Sequence, residues 1–287
     1  MKRLFLIEYT KLIHSRSSVI LISAYFFFLT LIAAIAVIKF DIGPFEFHLA
    51  EQGIFNFPFI WHFNTFIAAL FKFFLAVVIV SMISNEYSNR TLKQNLIDGL
   101  SKQELLTSKL LMVAFFSILS TIFVGITSAI LGAIYSDYTE LSIVFSELEY
   151  LLLFCLKLFG FFSLCLFLGM LIKRSAFALG FLIILAIGEQ ISWGIGGELL
   201  AKYGSFATKN EAFDLATQIK GFFPLQSLFN LIHEPFSRLS AVQSVVKELG
   251  ENIELDYKTS IKEVLIVLGY ICLYIWASLA LLRRRDL

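Results

Sequence analysis

The sequence predicts an all-α membrane protein of six transmembrane helices, with a polar elbow between helices two and three and a long outer segment with short helices between five and six. Three observations predict it. The chain is 58% hydrophobic with 32 Phe and a mean hydropathy of +0.82, whereas soluble domains are about 45–50% apolar. The excess is gathered into runs at 19–38, 59–83, 110–134, 150–172, 176–195 and 264–282. Each run has about 19–25 residues, enough for a hydrocarbon core of about 30 Å, and a helix satisfies its own backbone polar groups there. Finally, the basic residues of the short links fall on alternate sides of these runs.

The first run follows 18 residues that contain Glu8, and its apolar core is longer than that of a secretion signal. Despite the cleavage-like Ala34-Ile-Ala36, it reads as an uncleaved span. Ser101–Glu104, Ser146–Glu149 and Ser260–Glu263 precede the third, fourth and sixth runs. Each has capping-box spacing, in which Ser accepts the amide three residues on and Glu reaches back. Lys2, Arg3, Lys11 and Arg16 precede the first run, and Arg90, Lys93, Lys102 and Lys109 follow the second. Lys173-Arg174 follow the fourth, and Arg283-Arg284-Arg285 close the chain. The intervening links are acidic: Asp41, Glu46 and Glu51, then Asp137, Glu140 and Glu147. The positive-inside rule then places both termini in the cytoplasm. Net charge is +1, so global charge implies no nucleic-acid partner. Cys155, Cys165 and Cys272 fall inside apolar runs and read as small apolar residues, without metal spacing.

The link at 84–109 carries more chemistry than a connection needs. From about Tyr87 to Asp98 it reads as a short helix with Leu92, Leu96 and Leu100 on one stripe. Asp98-Gly99 breaks it, because Gly takes the left-handed conformation that ends helices. Ser101 restarts a helix that runs into the third span. This elbow fits two roles. It lies amphipathically on anionic lipid, or it is a docking surface for a soluble partner, tied to two spans.

These residues resemble the ABC-2 type transporter permeases. That family carries a Glu after the second span, a Thr in a polar turn, a Leu-rich helix, a Pro/Gly-Ser-Arg/Lys element and a Lys before the third span. Here stand Glu86, Arg90-Thr91, Leu92 and Leu96, Gly99-Leu100-Ser101-Lys102, and Lys109. Asn89-Arg90 stands where a Gly often precedes the Thr, and Gly99-Leu100 replaces the usual Pro. "MKRLFLIEYTKLIHSR", with Glu8 and Lys11, is similar to the family's N-terminal interfacial helix, and "LLRRRDL" to its basic C-terminus. The resemblance implies one transmembrane domain over 1–287 in a bacterial cytoplasmic (inner) membrane. It implies a cytoplasmic ABC ATPase subunit docked on the elbow, and a second permease copy or homologous permease. The chain holds no G-x-x-x-x-G-K-[ST] phosphate loop, so ATP and Mg belong to the partner and no cofactor to this chain. The expected function is export of an amphipathic solute such as a lipid, drug or peptide. The alternatives are a scaffold or mechanotransmission subunit without transport, and a polytopic membrane enzyme. No H-E-x-x-H and no paired intramembrane acid set favours the enzyme.

Lys72, Lys157 and Glu189 lie inside apolar runs. A charge near the bilayer centre costs at least about 2.5–3.5 kcal/mol, so each needs a partner or water. Helical rise places Lys157 about 22 Å and Glu189 about 20 Å from the cytoplasmic ends of their spans, and Lys72 about 16 Å from its own. A Lys157–Glu189 pair follows, with Lys72 nearer a dimer seam or wet cavity; the bland reading leaves Glu189 in the headgroups and Lys157 snorkelling. His62 and Asn64 suggest a polar collar, Trp61 and Trp193 the outer interface, and Gly125, Ala129 and Ala133 a close helix contact. In the outer segment 196–263, "GFFPLQSLFNLIHEPF" reads as an interfacial or re-entrant helix interrupted at Pro224 and Pro235, and Ser240–Gln243 as a further capping box.

Overall fold

Among the described residues four helices are long and apolar enough to cross a membrane, or up to six if each of two bent helix pairs is one span. This computed structural model describes residues 2–37, 39–42, 45–48, 53–138, 140–204, 208–239 and 257–284, with the backbone alone from 32 to 48.

The first bent pair is α1 (Lys2–His14) and α2 (Arg16–Val37), which meet at 91°. Ser15 makes the corner. Its amide closes the last turn of α1 on Leu12, and its Oγ accepts the Ser18 amide at 3.4 Å and the Ser18 hydroxyl at 3.0 Å. A helix-breaking N-cap is what Ser supplies well. After α2 comes an antiparallel hairpin, β1 (Lys39–Ile42) with β2 (Phe45–His48), in the register Lys39↔His48 to Ile42↔Phe45. This hairpin departs from the purely helical expectation.

The expected second span is broken. α3 (Phe59–Leu70) and α4 (Lys72–Ser88) meet at 45°. Around Phe71 the bonds tighten to three-residue spacing, Phe71 N to Ala68 O and Phe74 N to Phe71 O, both 3.1 Å. Such tightening accompanies a kink. α5 (Thr91–Ile97) is the short elbow helix, and α6 (Lys102–Tyr135) runs unbroken for 34 residues. A helix of that length spans about 51 Å, so the elbow's second arm and the third span are one rod.

After the single turn α7 (Leu141–Val144), α8 (Glu149–Ile172) forms the centre of the bundle. α4, α6, α9 (Ser175–Tyr203) and α12 (Ile261–Arg284) pack on it, and Phe154, Phe161 and Phe162 of α8 are wholly buried. α9 continues to Tyr203, past the expected end near 195, so the outer segment begins within a helix. α10 (Lys209–Lys220) folds back along it, held by Trp193 Nε1 on Thr217 Oγ1 at 3.1 Å and Lys220 Nζ on Gln190 Oε1 at 3.0 Å. α11 (Pro224–Asn230) is a short helix wedged against α8, α9 and α12. Gly160 makes room for it, since a Cβ there would lie 2.8 Å from Leu228.

Several local expectations change. Leu148 precedes α8, and Glu147 takes φ +62°, so Ser146 does not cap; its hydroxyl donates to Ile143 O instead. At Ser260 half of the box forms, with the Ser260 amide on Glu263 Oε2 at 3.0 Å while Oγ accepts Lys262 N. Ala129 and Ala133 face outward. The close contact falls at Gly132, where a Cβ would lie 2.2 Å from the Phe57 ring. Trp61 and His62 are buried inside the protein. Ser240–Gln243 lies outside the described residues.

Candidate functional site

The elbow is assembled from local chemistry. At its entry Arg90 has φ 56°, the left-handed conformation that a Gly would take without strain. Thr91 opens α5, and Leu92 turns inward with 2% exposure. Leu96 packs partly against the same core. The expected leucine stripe therefore holds the elbow to its own bundle, and the outward face carries Lys93, Gln94, Ile97 and Asp98, with Ile97 73% exposed. Burying a Leu stabilises by about 1.5–3 kcal/mol, so the stripe is structural.

α5 ends in a Schellman motif. Gly99 N donates to Leu96 O at 3.2 Å, Leu100 N to Asn95 O at 3.0 Å, and Gly99 takes φ +97°. Ser101 then caps α6 with both arms of the box: Glu104 N on Ser101 Oγ at 3.2 Å and Ser101 N on Glu104 Oε2 at 2.9 Å. The Ser101 amide and then its hydroxyl hold the Glu104 carboxyl below its ordinary range. Lys102 Nζ reaches Arg283 O at 3.4 Å, which ties the elbow to the end of α12. Lys173, at the link between α8 and α9, lies 5.4 Å over the Tyr87 ring.

Behind the elbow four charges close a ring. Lys109 Nζ of α6 lies 2.5 Å from Glu8 Oε2 of α1 and 2.6 Å from Glu86 Oε1 of α4. Lys11 Nζ of α1 lies 2.8 Å from Glu86 Oε1 and 3.3 Å from Glu8 Oε1. Each acid meets both bases, so the ring is neutral and needs no outside counter-ion. Lys109, Glu8 and Glu86 are buried, and only Lys11 reaches the surface. Burial works against the Lys11 charge, yet Glu86, then Glu8, hold its pKa above the ordinary lysine value. A buried ion pair is costly to break singly, about 3–5 kcal/mol. The ring therefore locks the elbow, the N-terminal helix and the long rod α6 into one unit. Glu86 and Lys109, expected at the elbow, are brought together with Glu8 and Lys11; Arg90 and Thr91 stand at the turn beside it, outside the ring.

The intramembrane charges are arranged otherwise than expected. Glu189 does not meet Lys157. Its two oxygens accept the amides of Leu225 and Gln226, both at 2.9 Å, at the start of α11. Phe223 precedes that helix and has no side-chain acceptor, so α9 supplies the cap from a distance. A Pro-initiated helix without a capping side chain, near an unpartnered intramembrane acid, was the readable signal. Lys72 and Lys157 instead converge on one aromatic ring, Phe229, at 4.9 and 5.5 Å from its centroid.

One cluster escaped the sequence reading. At the end of the bundle away from the elbow, Arg238 pairs with both oxygens of Glu147, at 3.0 and 2.9 Å. Arg238 Nη1 also lies 3.2 Å from His62 Nδ1. As Arg only donates, Nδ1 accepts and Nε2 carries the proton, 2.9 Å from His233 O. The Tyr150 ring stacks on His62 at 4.2 Å. Its traces in the sequence were the polar His62 and an acidic link at 137–147 opposite a base-bearing segment at 196–263.

A family model described as ABC-2 family transporter protein matches residues 4–189. The match takes in the whole elbow and all four members of the ring. Searches of the curated proteins and of the solved structures found no match.

Proposed function

Because the chain belongs to the ABC-2 family of transporter membrane proteins, we propose that it is the permease subunit of an ATP-driven exporter whose separate ATPase docks on the elbow from the cytoplasm. The observation that carries this reading is the ring. It joins α1, α4 and α6, which flank the elbow, through buried charge pairs, and the buried Leu92 seats α5 on the same bundle. A partner that grips Lys93, Gln94, Ile97 and Asp98 then moves three helices at once, as rigid bodies. ATP and Mg belong to that partner. Two permease copies enclose one pathway, and the cargo is an amphipathic solute.

The test is affinity purification of the chain from membranes in mild detergent, scored for a co-purifying soluble ATPase. The wild type should retain it. Ile97→Glu with Lys93→Glu should weaken association at least tenfold, which corresponds to about 1.4 kcal/mol, while membrane insertion is unchanged. These positions are better probes than Leu92, whose substitution disturbs the chain's own packing. Equal recovery with both chains would overturn the docking role.

A further inference from the structure

Lys72 of α4 and Lys157 of α8 are the most demanding side chains in the bundle. Their exposures are 4% and 1%. The ion pairs of the described residues include neither of them. Their neighbours are rings: Lys72 Nζ lies 4.5 Å from the Phe161 centroid, and both ammonium groups lie within 5.5 Å of that of Phe229. Aromatic faces favour a cation, by about 2 kcal/mol when desolvated. They do not balance two like charges in one apolar place, each costing at least about 2.5–3.5 kcal/mol at mid-membrane.

The break at Phe71 puts Lys72 at the joint of the bent pair, directly after the end of α3. Phe229 also has an outer side. It is 46% exposed while the lysines beneath it are buried, and it sits on α11, whose start is pinned by Glu189.

We propose that Lys72 and Lys157 form a binding site inside the bundle for one oxyanion of phosphate or carboxylate type, with Phe229 as its cover. The site rests on the exporter reading in one respect: it makes the cargo an anionic amphiphile, head group between the lysines and tail along the apolar helices. Binding itself needs no ATPase, so it is separable from the docking test.

The full chain, purified in a neutral detergent, should be titrated with dodecyl phosphate, with dodecyl maltoside as the uncharged control and inorganic phosphate as the tailless anion. Dodecyl phosphate should raise the unfolding midpoint by about 5 °C at saturation, and the uncharged control should not. Lys72→Met, Lys157→Met and the double variant keep length while removing charge. Each single variant should raise the half-saturating concentration at least about tenfold, and the double variant should lose the shift. A shift with dodecyl phosphate alone supports an amphiphile head group; a shift with inorganic phosphate as well supports a site that takes the bare oxyanion. No shift in the wild type, or the same shift in the double variant, overturns the site and leaves two buried amines packed as spacers. A positive result here with no ATPase association would retain the site and remove the motor; the reverse would retain the motor and remove the site.

Discussion

Lys109 is the residue on which the ring depends, since it alone joins α6 to both acids with no exposure. Lys109→Met should destabilise the protein by about 3–5 kcal/mol, read as a lower unfolding midpoint in detergent. Adding Glu8→Met leaves Lys11 and Glu86 as a matched pair, so the double variant should be more stable than Lys109→Met alone. Gly99 has open space around a would-be Cβ, so only its φ of +97° constrains it. Gly99→Ala should cost about 1–2 kcal/mol for the left-handed backbone. The capping box gives a pH signature. The Glu104 pKa lies below its ordinary value of 4.5. Its contribution is therefore complete above that value and is lost as pH falls through the lowered one. Glu104→Gln should flatten the acid limb of a stability profile by lowering the neutral plateau slightly, with stability below the lowered value unchanged. At this scale the sequence was legible where chemistry is local: the Gly99 break and the Ser101 box both follow from neighbours within three residues. Leu92 shows the limit, because an i, i+4 stripe says that a face is apolar and not what covers it.

Among the elements, α11 depends most on another helix. Its first amides are held by Glu189 of α9, so Glu189→Gln, with one acceptor oxygen in place of two, should cost about 1–2 kcal/mol. Limited proteolysis between α10 and α11 should quicken, while the elbow stays protected. The expected Lys157–Glu189 pair failed for a geometric reason. Helical rise estimates height along a span, but which way a side chain points around the axis depends on the neighbours. The same blindness hid the break at Phe71, because no Pro or Gly within the run 59–83 marks the kink. Long apolar runs were readable as helices since periodicity and length suffice; the α9–α10 hairpin and the Arg238–Glu147 pair were not, since both join distant segments.

For the whole molecule the sign of the links gives an orientation to test. With the elbow inside the cell, a cysteine replacing the exposed Gln94 should resist an impermeant thiol reagent in intact cells and react once the membrane is opened. Labelling in intact cells would reverse the protein in the bilayer and remove the docking proposal. The plan of spans and links was readable because membrane insertion is decided by composition over about 20 residues. How the spans surround α8 was not, because lipid-facing and helix-facing apolar residues look alike: Ile122 and Ile126 are both more than half exposed, while Phe154 and Phe161 are buried.

The unbroken course of α6 has a mechanical meaning. A stiff oar pivoted near one end magnifies small strokes: a tilt of about 5° at Lys109 sweeps Tyr135 through about 3 Å, given 1.5 Å of rise per residue. Near the far tip, the Phe57 ring leaves Gly132 no slack. A modest push on the inner blade would thus be delivered, enlarged, to the opposite face of the membrane.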